Sequence, residues 1–305
     1  MNRASASAVA LPPRPLASAG AAAAALPGWH SWRRRWECLG PDCAEREGLR
    51  SWCKLPARIQ FQQGWCCGLE CLEAAVELHA RRLLREHETH APRPHRIPLG
   101  LLLLSHGQIT QPQLRAALDA QNLHGGRVGE WLVRQGAASE AAITAAVGLQ
   151  WARPTFPLTE TQAWRQYRGW VPQALLESLG MLPLYFAPAS RRLHVGFTQI
   201  VDATALAALQ TMLECKPLAC IVADSAWNAA MEESRGIPLK AGIENVALTD
   251  VEGPEEVAAI TRQYARVAGA REIRLAAAGG YLWLRLRGQR LLHLTLRPRT
   301  RPISL

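Results

Sequence analysis

The chain has 305 residues, long enough for two or three small domains, each with its own core. Its 35 Lys+Arg against 25 Asp+Glu give a formal charge of +10, which favours an anionic partner: nucleotide, nucleic acid, acidic protein or lipid surface. The basic residues are dispersed, with one tight run at Arg33, Arg34 and Arg35, so a phosphate-tracking stripe is missing and nucleic acid is disfavoured; no run of about 18 apolar residues is present, so no membrane span is expected.

Residues 1–28 are Ala- and Pro-rich. Pro12, Pro13 and Pro15 interrupt any apolar core of a secretory signal, so this segment reads as a disordered leader or a misplaced start and the chain as cytoplasmic. Residues 29–90 hold six of the eight cysteines. In a chain without an export signal such clustering points to metal rather than disulfides. Cys38 and Cys43 flank a turn at Gly40 and Pro41, and Cys67 and Cys71 begin a helix that runs through Leu72, Val76, Leu78, Leu83 and Leu84. Four thiolates of this kind can close a tetrahedral, structural zinc site, and a turn knuckle plus a pair at a helix start resembles a treble-clef finger. Cys66 is an alternative to Cys67, and Cys53 and His79 are spare candidates. Residues 91–98, with three prolines, read as a linker.

Residues 99–121 recur at 128–150, an internal repeat with a constant offset. Gly100 corresponds to Gly129, Leu103 to Leu132, Gly107 to Gly136, Leu114 to Ile143, Leu118 to Val147 and Gln121 to Gln150. Each copy predicts a short apolar helix stopped by Gly107 or Gly136 in the left-handed cap conformation. A second helix follows, capped by Thr110 with Gln113 or by Ser139. Leu114, Ala117, Leu118 and Gln121, like Ile143, Ala146, Val147 and Gln150, share one helical face, so two helical hairpins are expected over 99–158.

Over 159–240 the pattern turns to a small α/β sandwich. Leu184–Ala187 and Leu193–Phe197 read as paired strands, Asp202 as the cap of a helix, Leu218–Val222 as a buried strand and Asp224 as the cap of a last helix. Over 244–305 a helix from Pro254 precedes three strands with turns at Gly279-Gly280 and Gly288-Gln289. Leucines alternate in the last two strands, which predicts one buried sheet face. Whether these strands fold alone or complete another protein's sheet is open at this stage. The expected class is α+β: a Cys-rich zinc-finger-like unit, a tandem helical-hairpin repeat domain, a small α/β sandwich and a C-terminal partial α/β domain with antiparallel strands.

The double pattern of Leu-Gly, a Gly-stopped helix and Leu-x-x-x-Leu-x-x-Gln resembles the N-terminal domain of type II secretion and type IV pilus assembly ATPases. Leu182 onward, with Leu193, Val195, Asp202, Leu206 and Leu209, resembles the α/β half that follows, and 244–305 the start of the next ATPase domain. That resemblance implies cyclic di-GMP as a ligand and secretion or pilus assembly proteins as partners. Carried over residue by residue, it implies ligand contacts from Arg96, Leu99, Gly100, Leu103, Leu114, Leu118 and Gln121 in the first copy and Arg127, Val128, Gly129, Leu132, Ile143 and Val147 in the second. The residue before Leu-Gly is usually Arg in that family and is Pro98 here; the lost charge-assisted contact is worth about 1.5 to 3 kcal/mol. The sequence contains no Gly-x-x-x-x-Gly-Lys-Ser/Thr loop to cradle a triphosphate. The expected function is therefore a non-catalytic regulatory or adaptor module, the alternative being a zinc-finger nucleic-acid-binding protein with a regulatory repeat.

Overall fold

Alternating apolar residues at the C-terminal end build a sheet that gathers the chain around it. The computed structural model describes residues 37–43, 58–88 and 96–299, all within one unit. The leader 1–28, Arg33 to Arg35, Cys53 and most of the linker lie outside the described residues. In chain order the elements are β1 (Ile59–Phe61), β2 (Gly64–Cys66), α1 (Leu69–Glu88), α2 (Leu99–Ser105), α3 (Gln111–His124), α4 (Val128–Arg134), α5 (Glu140–Trp151), α6 (Gln173–Leu179), β3 (Met181–Ala187), β4 (Arg192–Phe197), α7 (Ala203–Leu213), β5 (Lys216–Ile221), α8 (Asp224–Gly236), β6 (Ile243–Asn245), β7 (Thr249–Val251), α9 (Pro254–Ala268), β8 (Glu272–Ala278), β9 (Tyr281–Arg287) and β10 (Leu291–Pro298). Three short 3-10 turns lie between α5 and α6. The class is α+β.

The C-terminal strands pair antiparallel as β8-β9-β10, and β6 and β7 both run parallel to β10 along one edge. On the other edge the β1–β2 hairpin joins them, β1 running parallel to β8. Helices α1 and α9 cover one face, where Leu72, Val76, Val257, Ile273, Leu284 and Leu294 share a core. Residues 29–90 and 244–305, expected as separate units, thus meet in one sheet and one core, and the strands left open by the sequence are completed by the chain's own hairpin. The hairpin was not foreseen, because its strands are three residues each and show no periodicity. Leu78, counted on the apolar stripe of α1, is exposed.

The second sheet face is covered as well, contrary to the single buried face expected. Ala276, Ala278 and Trp283 pack into the core of the small α/β part, whose sheet has the order β3-β4-β5. Arg274 and Arg285, cross-strand neighbours, donate to the carbonyls of Thr211 and Met212 at the end of α7. A helix C-terminus carries unpaired carbonyls and negative potential, which suits buried guanidinium groups. An alternation that reads as wet on one side is thereby buried on both. The cap of α7 is as expected, Asp202 accepting from the Ala205 amide at 2.8 Å. Asp224 does not cap α8 but is its first residue, after Ala223.

The repeat is a four-helix unit with a core of its own, Leu103, Ile109, Leu114, Ala117, Leu132 and Ala146. Gly107 and Gly136 take φ of +64° and +67° at the two equivalent turns. Thr110 donates its backbone N–H to Gln113 Oε1 at 2.8 Å, and Ser139 Oγ accepts from the Ala142 amide at 3.2 Å.

Candidate functional site

A cleft of about 460 Å³ opens where the two repeat copies meet the small α/β part. Of the residues carried over from the family pattern, Arg96, Leu99, Gln121, Arg127, Val128, Gly129, Ile143 and Val147 line it. Leu103, Leu114 and Leu132 are instead buried in the repeat core. Gly100 is a packing residue, since a Cβ there would lie 2.5 Å from Leu114 Cδ1. Leu118 is exposed and does not line the cleft. Sequence reasoning missed Glu130, Arg134, Glu140, Trp151, Thr198, Gln199, Ile200 and Asp224 as lining residues. Gln150 was seen as a repeat landmark, but the α/β contributions carry no local signal because they arrive from some 50 to 80 residues away.

The two copies close on each other reciprocally. Gln121, ending α3, donates through Nε2 to the Gly126 carbonyl at 3.0 Å; Gln150, ending α5, donates to the Ile97 carbonyl at 2.7 Å. Each glutamine thus fixes the backbone just before the other copy's Leu-Gly or Val-Gly step. Pro98 and Arg127 occupy equivalent positions as N-caps of α2 and α4. Two residues before Pro98, Arg96 donates to the Gln150 carbonyl at 2.9 Å, and its guanidinium carbon lies 3.5 Å from the centre of the Trp151 ring. A cation over an indole face is held electrostatically and in a defined plane.

Arg127 sits among carboxylates. Its Nε donates to Glu130 Oε1 at 2.8 Å, and Asp224 Oδ2 lies 3.4 Å from Nη2. Hydrogen bonding from Arg127 holds the Glu130 carboxyl below its ordinary range. Burial pushes Asp224 up, against the opposing pull of Arg127 and of Gln199, whose amide donates to it at 3.0 Å. Glu140 bridges the cleft to α8, accepting from the Ser225 amide at 2.7 Å and from its hydroxyl at 2.5 Å. Chemically the cleft presents guanidinium forks, carboxylate acceptors and an apolar floor of Leu99, Ile143 and Val147, a set able to hold a planar polar ligand.

A second cluster lies apart. The thiols of Cys38, Cys43, Cys67 and Cys71 all fall within 4.8 Å of one another, close enough to hold a metal. Cys43 Sγ is 3.6 Å from Cys67 Sγ, which is 3.3 Å from Cys71 Sγ. The amides of Gly40 and Cys67 each point at Cys38 Sγ at 3.4 Å, donors that favour thiolate. A Cβ at Gly40 would fall 2.8 Å from Cys71 Sγ, so only glycine lets the knuckle close over the sulfurs. Cys66, the alternative to Cys67, points into the core, and burial pushes its thiol up to about 12. His79 is not in the cluster; its Nε2 contacts Gln62 Nε2 at 3.0 Å. Cys215 and Cys220 are core thiols, with burial pushing Cys220 up to about 12.

No protein-family profile matches the chain, and no curated protein matches it. Solved structures do. The chain is similar to a structure of MshE with cdg, at 23% identity and a TM-score of 0.39, over 46% of this chain and 99% of that one. It is also similar to two structures of the N-terminal domain of XpsE. One is 14% identical with a TM-score of 0.32, covering 44% of this chain and 91% of the other; the second is 17% identical with a TM-score of 0.28, covering 47% and 98%. No helix among the described residues is long and apolar enough to cross a membrane.

Proposed function

We propose that the chain is a non-catalytic regulatory or adaptor module whose cleft binds cyclic di-GMP and whose four-thiol cluster holds a structural zinc ion. The observation that carries the ligand assignment is the reciprocal closure of the two copies around one cleft, with Arg96 stacked on Trp151 and Arg127 facing it. A ligand with two identical halves suits a site made from two copies of one unit. Guanidinium groups match guanine O6 and N7 or phosphate, Asp224 and Glu130 supply acceptors for guanine N–H donors, and the apolar floor supports the bases. For the metal, four sulfurs within 4.8 Å of one another and a backbone N–H pair on one of them suit Zn²⁺ and leave no open position for substrate. In this reading the module docks on secretion or pilus assembly proteins and passes on the state of the cleft.

Calorimetric titration of the full chain with cyclic di-GMP tests the assignment. Micromolar or tighter binding is expected, weakened at least about tenfold in Arg127→Ala. Pro98→Arg places a guanidinium at the position equivalent to Arg127 and is expected to tighten binding by about tenfold. No heat from either the native chain or Pro98→Arg would sink the ligand assignment.

A further inference from the structure

We propose, building on the reading that a metal fills the four-thiol cluster, that this site is a clasp: when filled it holds the β1–β2 hairpin on the edge of β8, and when emptied it releases that edge. Ile59, Phe61 and Cys66 of the hairpin pack into the shared core, but its main-chain hold on the sheet is short. Its strands are three residues long, too short to stand alone, and its register with β8 covers two pairs, Gln60 with Glu272 and Phe61 with Ile273. The main-chain links include the Gln60 amide to the Arg271 carbonyl at 2.8 Å and the Gln62 amide to the Ile273 carbonyl at 3.0 Å. At the turn, Gln62 takes a φ of +55°, a left-handed conformation that is uncommon outside glycine, and its side chain donates to the Leu275 carbonyl.

The thiols grip the hairpin from its open end. Cys67 follows β2 directly, and Cys71 lies in the first turns of α1. The knuckle bearing Cys38 lies along β2, with a bridge from Cys38 to Trp65 and the Leu39 amide donating to the Trp65 carbonyl at 2.8 Å. A metal on the four sulfurs therefore ties knuckle, hairpin end and α1 together. Helix α1 has an independent hold, because Leu72, Val76 and Ala80 are fully buried against the sheet and α9. Loss of metal is thus expected to free the knuckle and hairpin while α1 stays, leaving β8 as an exposed strand edge able to pair with another strand.

The test uses the full chain in reductant. Elemental analysis for Zn²⁺, together with the thiolate charge-transfer bands of a Co²⁺-loaded sample, reads metal occupancy. Hydrogen exchange is then compared between Zn²⁺-loaded and chelator-treated protein. The amides of Gln60 and Gln62 should lose protection by at least about tenfold on metal removal and regain it with Zn²⁺, while residues 72–80 and the repeat keep theirs. Coupling is reciprocal in sign, so Gln62→Ala, at the hairpin turn, should also weaken Zn²⁺ binding. Bound metal with unchanged protection at Gln60 and Gln62 after its removal would overturn the clasp and leave the metal reading standing. Equal loss of protection through α1 and α9 would also overturn it, the metal then being a global staple. A chain that takes up neither metal overturns the metal reading and the clasp with it.

Discussion

Trp283 Nε1 donates to His293 Nδ1 at 3.1 Å, both side chains fully buried, so the neutral imidazole carries its proton on Nε2, an atom without a partner among the described residues. Burial, with Arg285 adding to it, holds the His293 pKa down to about 3. The folded chain therefore keeps this histidine neutral, while the unfolded chain binds a proton below about 6.5. The contribution is fully present above that value and is lost as pH falls from about 6.5 toward 3, at about 1.4 kcal/mol per pH unit. Urea unfolding at pH 7 and pH 5.5 should differ by roughly 1 kcal/mol from this residue, and His293→Gln should flatten that difference even though it lowers stability at pH 7. An unchanged slope in the variant would show that another group is responsible. Nothing in the sequence marks His293: it alternates with leucines on a strand, as a solvent-facing residue would, and its burial comes from the cover on the second sheet face. Arg274 and Arg285 were hidden for the same reason.

The repeat helices were legible because their signals are local: a glycine that needs positive φ, a cap three residues before its partner, and apolar residues at helical spacing. What the spacing alone could not separate was cleft from core among equivalent leucines. Gly100 and Gly129 show the difference. They are equivalent in the repeat, yet a Cβ at Gly100 would meet Leu114 Cδ1 at 2.5 Å, whereas one at Gly129 would meet Ile143 Cγ2 at 3.1 Å and Leu99 Cδ2 at 3.4 Å. Gly100→Ala must displace a leucine embedded in the repeat core and should cost about 1 to 3 kcal/mol. Gly129→Ala asks for a shift of a few tenths of an ångström at the cleft wall, and should cost under about 1 kcal/mol while narrowing the cleft. Thermal melts of the two variants check the order, and equal costs would mean that the copies pack alike. Leu118 and Val147 divide likewise: the equivalent position is exposed in α3 and buried in α5, because Val147 packs into the core of the α/β part and Leu118 does not.

At the scale of the whole chain, the feature least visible in the sequence is that residues before and after the repeat build one sheet. Pairing of β1 with β8 joins residues more than 200 positions apart, and three-residue strands give no pattern from which to infer it. The energetic weight of that closure can be bounded. Ile59, Phe61, Leu72 and Val76 are buried in the shared core, and four such side chains contribute roughly 6 to 12 kcal/mol on burial, as much as the whole net stability of an ordinary domain. Ion pairs across the seam, Arg262 with Glu73 and Arg81 with Glu255, are half-exposed and add at most about 1 kcal/mol each. Hydrophobic contact, not charge, therefore decides whether the C-terminal strands hold together. A chain beginning at residue 96 keeps α9 but leaves half of that sheet face and the β8 edge bare. It should melt well below the full chain and self-associate through the bare edge, and adding residues 29–90 as a separate polypeptide should restore a monodisperse species. Size-exclusion chromatography with parallel melts decides the matter: a truncated chain that stays monodisperse and melts where the full chain does would show that the C-terminal strands carry their own core.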